Sequence, residues 1–132
     1  MKVIILAAGY ATRLYPLTLN QPKPLLPVSG KPMLEHVLDN LAPISGIDHL
    51  YVVTNAKFAG HFRQWAADYR RKQANLEITV CDDQSTDDTN KLGAIGDINF
   101  VLKATVYVDV EWSSLDCQTL VECHQRVHTT AN

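Results

Sequence analysis

The sequence is short of cysteine, of long apolar runs and of any charge excess, and each shortage excludes a class of protein. Three cysteines in 132 residues, Cys81, Cys117 and Cys123, are too few and odd in number for a disulfide framework, which points to a reducing, cytoplasmic setting. No stretch approaches the roughly 20 apolar residues that span a bilayer, so no membrane partner is expected. The opening Met1-Lys2-Val3-Ile4-Ile5-Leu6-Ala7-Ala8 has too short an apolar core for a signal peptide, and Arg13 follows closely. With 12 basic and 14 acidic side chains the formal net charge is -2, so nothing draws the whole chain to nucleic acid. Any polyanion has to be met by a local site. Glycine is scarce too. Gly30-Lys31 is followed by Pro32, which breaks the P-loop pattern, and Gly9 stands alone where a dinucleotide fingerprint needs three glycines.

What is present is the composition of an ordinary globular domain, 46% hydrophobic and 20% charged, with strands and helices in alternation. Val3 to Ala8 is a continuous apolar run closed by Gly9, expected as a buried strand. Residues 9–32 carry five of the six prolines and read as a fixed extended loop. From Pro32, the residues Met33, Leu34, Val37, Leu38 and Leu41 recur at helical spacing until Pro43. His49 to Thr54 is a second strand. Phe58, Phe62, Trp65, Ala66 and Tyr69 stripe a second helix whose end, Arg70-Arg71-Lys72, reads as solvated.

Leu76, Ile78 and Val80 mark a third strand. A polar loop from Asp82 to Asn90 leads to a third helix carrying Leu92, Ile95, Ile98, Val101 and Leu102. Val106, Val108 and Val110 alternate as a fourth strand, and Leu115 to Arg126 is a weaker helix. The order implies an α/β fold in three layers, Rossmann-like, with a mostly parallel sheet covered on both faces. Ligands of such sheets sit beyond the carboxyl ends of the strands, where the loop after the first strand opens.

That loop reads Leu6-Ala7-Ala8-Gly9-Tyr10-Ala11-Thr12-Arg13-Leu14, then Pro22-Lys23-Pro24-Leu25-Leu26-Pro27, then Lys31-Pro32-Met33. Small residues at 7, 8, 9 and 11 admit a bulky ligand close to the backbone. Arg13 can grip phosphate oxygens as a planar fork, and Lys23 can act on the same group as a point charge held stiff by flanking prolines. The residue types describe a phosphate site.

These three blocks resemble the sugar-nucleotide pyrophosphorylases, nucleotidyltransferases of the glucose-1-phosphate thymidylyltransferase type. A weaker resemblance runs through Asn90-Lys91-Leu92-Gly93-Ala94-Ile95-Gly96-Asp97. Ala11 departs from the pattern, since the family often has glycine there. The resemblance covers the first half of the family's domain, so a single truncated nucleotidyltransferase domain over residues 1–132 is expected. It implies a nucleoside triphosphate and a sugar 1-phosphate as substrates and Mg²⁺ as cofactor. It also implies that Arg13 binds the triphosphate and its departing pyrophosphate, while Lys23 bridges the phosphates of both substrates.

By the same resemblance Ala7, Ala8 and Gly9, with Leu6 and Thr12 beside them, hold the nucleoside. Gly93 lies against the base or simply lets a helix pack closely. Gln84 reads the base edge or belongs to a solvated loop with Asp82, Asp83, Asp87 and Asp88. Asp109 is either the metal carboxylate or an exposed polar position on an edge strand. A half domain leaves an open sheet edge, which implies self-association or a partner chain. It also leaves a second reading, a non-catalytic nucleotide-binding or assembly module. A zinc set of Cys117, Cys123, His124 and His128 lacks the short Cys-x2–4-Cys pair and does not share one helical face.

Overall fold

The computed structural model describes residues 1–106, with side chains through Ala104. Residues 107–110 of the expected fourth strand, the weaker helix, Asp109 and the Cys117–His128 group lie outside the described residues. Three parallel strands form the sheet: β1 (Lys2–Leu6), β4 (His49–Thr54) and β5 (Glu77–Asp82), in the order β1-β4-β5. Lys2 pairs with His49 through to Leu6 with Val53, and His49 pairs with Glu77 through to Thr54 with Asp82. Every carboxyl end therefore emerges on one side. Between β1 and β4 lie a two-residue hairpin pair, β2 (Pro27–Val28) and β3 (Lys31–Pro32), and the helix α1 (Met33–Leu41). Helix α2 (Ala59–Lys72) links β4 to β5, and α3 (Gly93–Val106) follows β5.

Strand alternation sends successive side chains to opposite faces, and each face has its own core. Val3 and Ile5 of β1, Leu50 and Val52 of β4, and Ile78 and Val80 of β5 meet α1 and α2 on one side. Ile4, Tyr51, Val53 and Cys81 meet α3 on the other. That is the three-layer α/β arrangement the alternation implies. The aromatic stripe of α2 is core as expected, with Phe58, Phe62, Trp65 and Tyr69 all buried. Trp65 donates its Nε1–H to Glu35 of α1 at 3.1 Å, and Lys72 lies 3.7 Å from the same carboxylate. A buried acid is tolerable there because it is bonded and has a cation at hand.

The structure departs from expectation in five places. Strand β1 is half-covered rather than buried, with Val3, Ile4 and Ile5 partly exposed and Leu6 exposed. Residues 9–32 are not featureless: they contain 3-10 turns at Thr12–Leu14 and Lys23–Leu25 and the β2–β3 hairpin, whose turn residues Ser29 and Gly30 both have positive φ. Such a two-residue turn matches the twist of the flanking strands. Helix α3 includes Val106, which alternation had placed in a strand.

The apolar stripe expected of α3 is also mostly wrong. Leu92, Ile95, Ile98 and Leu102 are exposed, whereas Asp97, Phe100, Val101 and Ala104 face the sheet. Both sets recur at helical spacing, and the buried one pairs a large ring with two smaller side chains against the strands. Finally Arg70 is not simply solvated, since its Nη2 donates back to the Ile78 carbonyl of β5.

Candidate active site at the carboxyl ends of the strands

Beyond Leu6 the chain stays tied to the sheet for two more residues. The Ala7 N–H donates to the Val53 carbonyl at 2.7 Å, and the Asn55 side chain donates to the Ala8 carbonyl at 2.9 Å. Ala7 and Ala8 are buried, while Gly9 is exposed and a methyl added there would meet nothing within 4 Å. Space above the strand end is therefore open. The next bend is made by Ala11 in the left-handed region, φ 49 and ψ 42, with its carbonyl accepting from Thr18 Oγ1 at 2.8 Å and Leu14 N–H at 2.9 Å. Thr18 is fully buried, so this bend is pinned from inside.

Arg13 sits at the middle of the Thr12–Leu14 turn and Lys23 at the start of the Lys23–Leu25 turn; both are exposed. Pro22 and Leu25, on either side of Lys23, are buried. The Leu25 N–H donates to the Pro22 carbonyl, and Gln21 Nε2 donates to the Leu25 carbonyl, both at 3.0 Å. A flexible side chain thus projects from a backbone anchored on both flanks. Among the described residues neither Arg13 nor Lys23 forms an ion pair or a side-chain hydrogen bond. Lys31 differs, since it pairs with Asp39 of α1.

Gln84 is exposed and left-handed, with φ 62, at the turn after β5. Its neighbours largely bond their own loop. Asp82 accepts from the Gln84 N–H at 2.7 Å, Asp83 from Ser85 N–H and Oγ at 2.8 and 2.7 Å, and Asp87 from the Thr89 N–H at 2.7 Å. Bonds from Thr89 hold Asp87 below the usual carboxylate range. Gly93 opens α3 with φ +73, and a methyl there would meet nothing within 4 Å. Its need for glycine is thus backbone conformation rather than close packing. Gly96 is the packed one: a Cβ there would lie 2.8 Å from Leu92 Cβ.

One group at these strand ends escaped the sequence reading. Asp83 is partly buried rather than solvated, and it meets Asp97 from α3; Tyr10, buried after β1, lies beside Ser85 and Asp83. Only Asp97's place on the buried face of α3 could have signalled it, and the competing apolar stripe hid that face. Asp109, three positions beyond the end of α3, lies outside the described residues. Among the described residues no three His, Cys, Asp or Glu side chains gather to hold a metal, and no helix is long and apolar enough to cross a membrane. A cavity lined by Val3, Leu38, Leu41, Leu50, Tyr69 and Leu76 lies toward the other end of the sheet, and no cation lines it.

Residues 2–109 match the nucleotidyl transferase family. A candidate mannose-1-phosphate guanyltransferase of Sulfolobus acidocaldarius is 35% identical over 136 residues, covering 95% of this chain and 34% of that protein. The bifunctional protein GlmU of Methanococcus vannielii is 36% identical over 84 residues, 64% of this chain and 19% of its own. Among solved structures, a candidate glucose-1-phosphate thymidylyltransferase from Bacillus anthracis, in complex with a sucrose, superimposes with a TM-score of 0.52 at 31% identity. That likeness covers 63% of this chain and 33% of the other. The chain spans about a third or less of the length of these proteins.

Proposed function

The chain belongs to the nucleotidyl transferase family, and from that premise we propose that it binds a nucleoside triphosphate with Mg²⁺ at its strand ends. Within the whole protein that site serves nucleotidyl transfer to a sugar 1-phosphate. The observation that carries the reading is the pair Arg13 and Lys23, exposed without an anionic partner among the described residues on turns pinned by Thr18, Pro22 and Leu25. A charge left unpaired on an anchored backbone loses little on meeting phosphate. In the reaction an oxygen of the sugar 1-phosphate bonds to the α-phosphorus, the bond to the bridging oxygen breaks, and pyrophosphate leaves. Arg13 takes the triphosphate and its leaving group, and Lys23 offsets charge on the phosphates of both substrates, so alignment and neutralisation do the work.

The described residues suit a metal carried in on phosphate oxygens rather than one caged by protein, as no carboxylate trio stands at the loop. When bound, Mg²⁺ offsets charge on the reacting phosphates, with Asp109 the carboxylate offered to it. Ala7, Ala8 and Gly9, with Leu6 and Thr12, present backbone to the nucleoside, and Gly93 and Gln84 lie on the base side.

Calorimetric titration with each nucleoside triphosphate and Mg²⁺, followed by a pyrophosphate-release assay with hexose 1-phosphates on the whole protein, tests the reading. Affinity is expected to fall at least tenfold, about 1.4 kcal/mol, in Arg13→Ala and in Lys23→Ala. Unchanged binding in both variants would remove it.

A further inference from the structure

Asp97 is 5% exposed, and among the described residues its Oδ1 finds no hydrogen-bond donor; Asp83 Oδ2 is likewise buried without one among them. The two carboxyl groups lie within hydrogen-bonding reach of each other, one from the second turn of α3 and one from the residue after β5. Two carboxylates cannot bond, because neither carries a donor; one proton makes the pair donor and acceptor. Burial, then the charge of Asp83, pushes the Asp97 carboxyl up to about 6.

Ser85 donates its N–H and Oγ to Asp83 Oδ1, which leaves Oδ2 of Asp83 without a donor among the described residues. Tyr10, on the loop after β1, approaches Ser85 without meeting hydrogen-bond geometry, and Asp83, Asp87 and Asp88 all add negative charge around it. Further along the same face α3 meets Tyr51 of β4 and Cys81 of β5. Among the described residues no Lys, Arg or His pairs with Asp83 or Asp97.

We propose that Asp97 is a positioning residue: carrying a proton, it donates to Asp83 and so fastens the first turns of α3, headed by Gly93, to the carboxyl end of β5. Losing that proton leaves two negative charges face to face in a buried site, and α3 relieves the repulsion by loosening at its start. The fastening stands on this geometry alone, while its effect on a ligand rests on the nucleotide-binding reading above.

Amide hydrogen exchange over α3, corrected for intrinsic rate, reads the fastening without nucleotide. In the natural chain, protection of the first turns is expected to drop about tenfold or more between about pH 5 and about pH 8, as the shift in titration implies. Asp97→Asn keeps a donor toward Asp83 at every pH, so its protection stays high throughout; Asp97→Ala is unfastened throughout. The same pH-dependent loss in Asp97→Asn, or none in the natural chain, overturns the proposal. So does recovery of protection at high pH on adding Mg²⁺ or Ca²⁺ to the natural chain alone, which replaces the proton by a metal ion. The second readout is affinity for the Mg²⁺-nucleotide, expected to weaken with pH in the natural chain and not in Asp97→Asn. Affinity flat across a pH range in which exchange opens would strip Asp97 of its positioning role. Failure of the Arg13 and Lys23 test leaves the exchange result untouched, so the two readings fail separately.

Discussion

The side-chain amide of Asn55 donates to the Ala8 carbonyl across 2.9 Å while its Oδ1 accepts the Phe58 N–H at 3.0 Å. One fully buried side chain joins the exit of β1 to the start of α2, and so sets where the loop carrying Arg13 and Lys23 leaves the sheet. Asn55→Ala leaves the Ala8 carbonyl without that donor, at an expected cost of about 1–3 kcal/mol. Asn55→Asp keeps the acceptor but turns a charge toward a carbonyl, and is expected to cost at least as much. Urea denaturation measures both. A loss under a few tenths of a kcal/mol in both variants would mean that the loop is held elsewhere.

Ala11 occupies the left-handed region at φ 49, where a Cβ is disfavoured by roughly 1–2 kcal/mol. Its carbonyl still accepts from Thr18 and Leu14, so the bend is imposed by its partners. Ala11→Gly removes the strain but loosens the unfolded chain. The balance is a gain of about 0.5–1 kcal/mol, read as a raised midpoint in thermal unfolding. Destabilisation by glycine would show that the methyl packs usefully.

Much of this was legible because strong periodicities have one solution. The stripe Phe58, Phe62, Trp65, Tyr69 buries in a single way and is buried in the structure, and the run Val3 to Ala8 forms the expected strand, though only Ala7 and Ala8 are fully covered. Arg13 and Lys23 stand out in the sequence because residue types and proline positions agree within one loop, and the structure leaves both exposed on anchored turns. Helix α3 was not, because two faces compete: Leu92, Ile95, Ile98 and Leu102 look like core, yet Phe100, Val101 and Ala104 win the sheet. The choice depends on the shape offered by Ile4, Tyr51 and Val53, which no local pattern contains. Asp97 was missed for the same reason. A carboxyl on a buried face is read as surface until its partner, Asp83, is placed beside it.

His49 stacks on Tyr51 with ring centroids 4.2 Å apart, and its Nε2 lies 2.8 Å from Thr79 Oγ1. Burial holds its imidazole below the ordinary value of 6.5, with the Glu77 carboxylate opposing that shift in part. The unfolded chain therefore takes up the proton first. Stability is fully present above 6.5 and falls as pH drops below it, until the folded imidazole itself titrates. Asp97 acts in the opposite sense: its raised carboxyl favours the folded state at low pH and loses that contribution as pH rises through about 6. The two effects overlap, so His49→Gln and Asp97→Asn are needed to separate them. Relative to the natural chain, His49→Gln is expected to lose less stability between about pH 7.5 and about pH 5.5, and Asp97→Asn to gain more at the upper end. An imidazole that titrates by NMR above 6.5 in the folded chain would refute the first expectation.

Gly93 and Gly96 stand three residues apart and need to be glycine for different physical reasons, so alanine should separate them. At Gly93 the backbone has φ +73 and the space is open; Gly93→Ala costs about 1 kcal/mol or more through conformation alone, whatever its neighbours. At Gly96 the helix would ordinarily welcome alanine by about 0.8–1 kcal/mol. Here the added Cβ would stand 2.8 Å from Leu92 Cβ, so either Leu92 or the first turn has to move. Gly96→Ala is therefore expected to be neutral or destabilising in the natural chain and stabilising in a Leu92→Gly background. A coupling of about 1 kcal/mol between the two sites is the expected result of the double-mutant cycle. Gly93→Ala should show no such dependence on Leu92. Additive behaviour of Gly96→Ala with Leu92→Gly would mean that the start of α3 has room the geometry does not show.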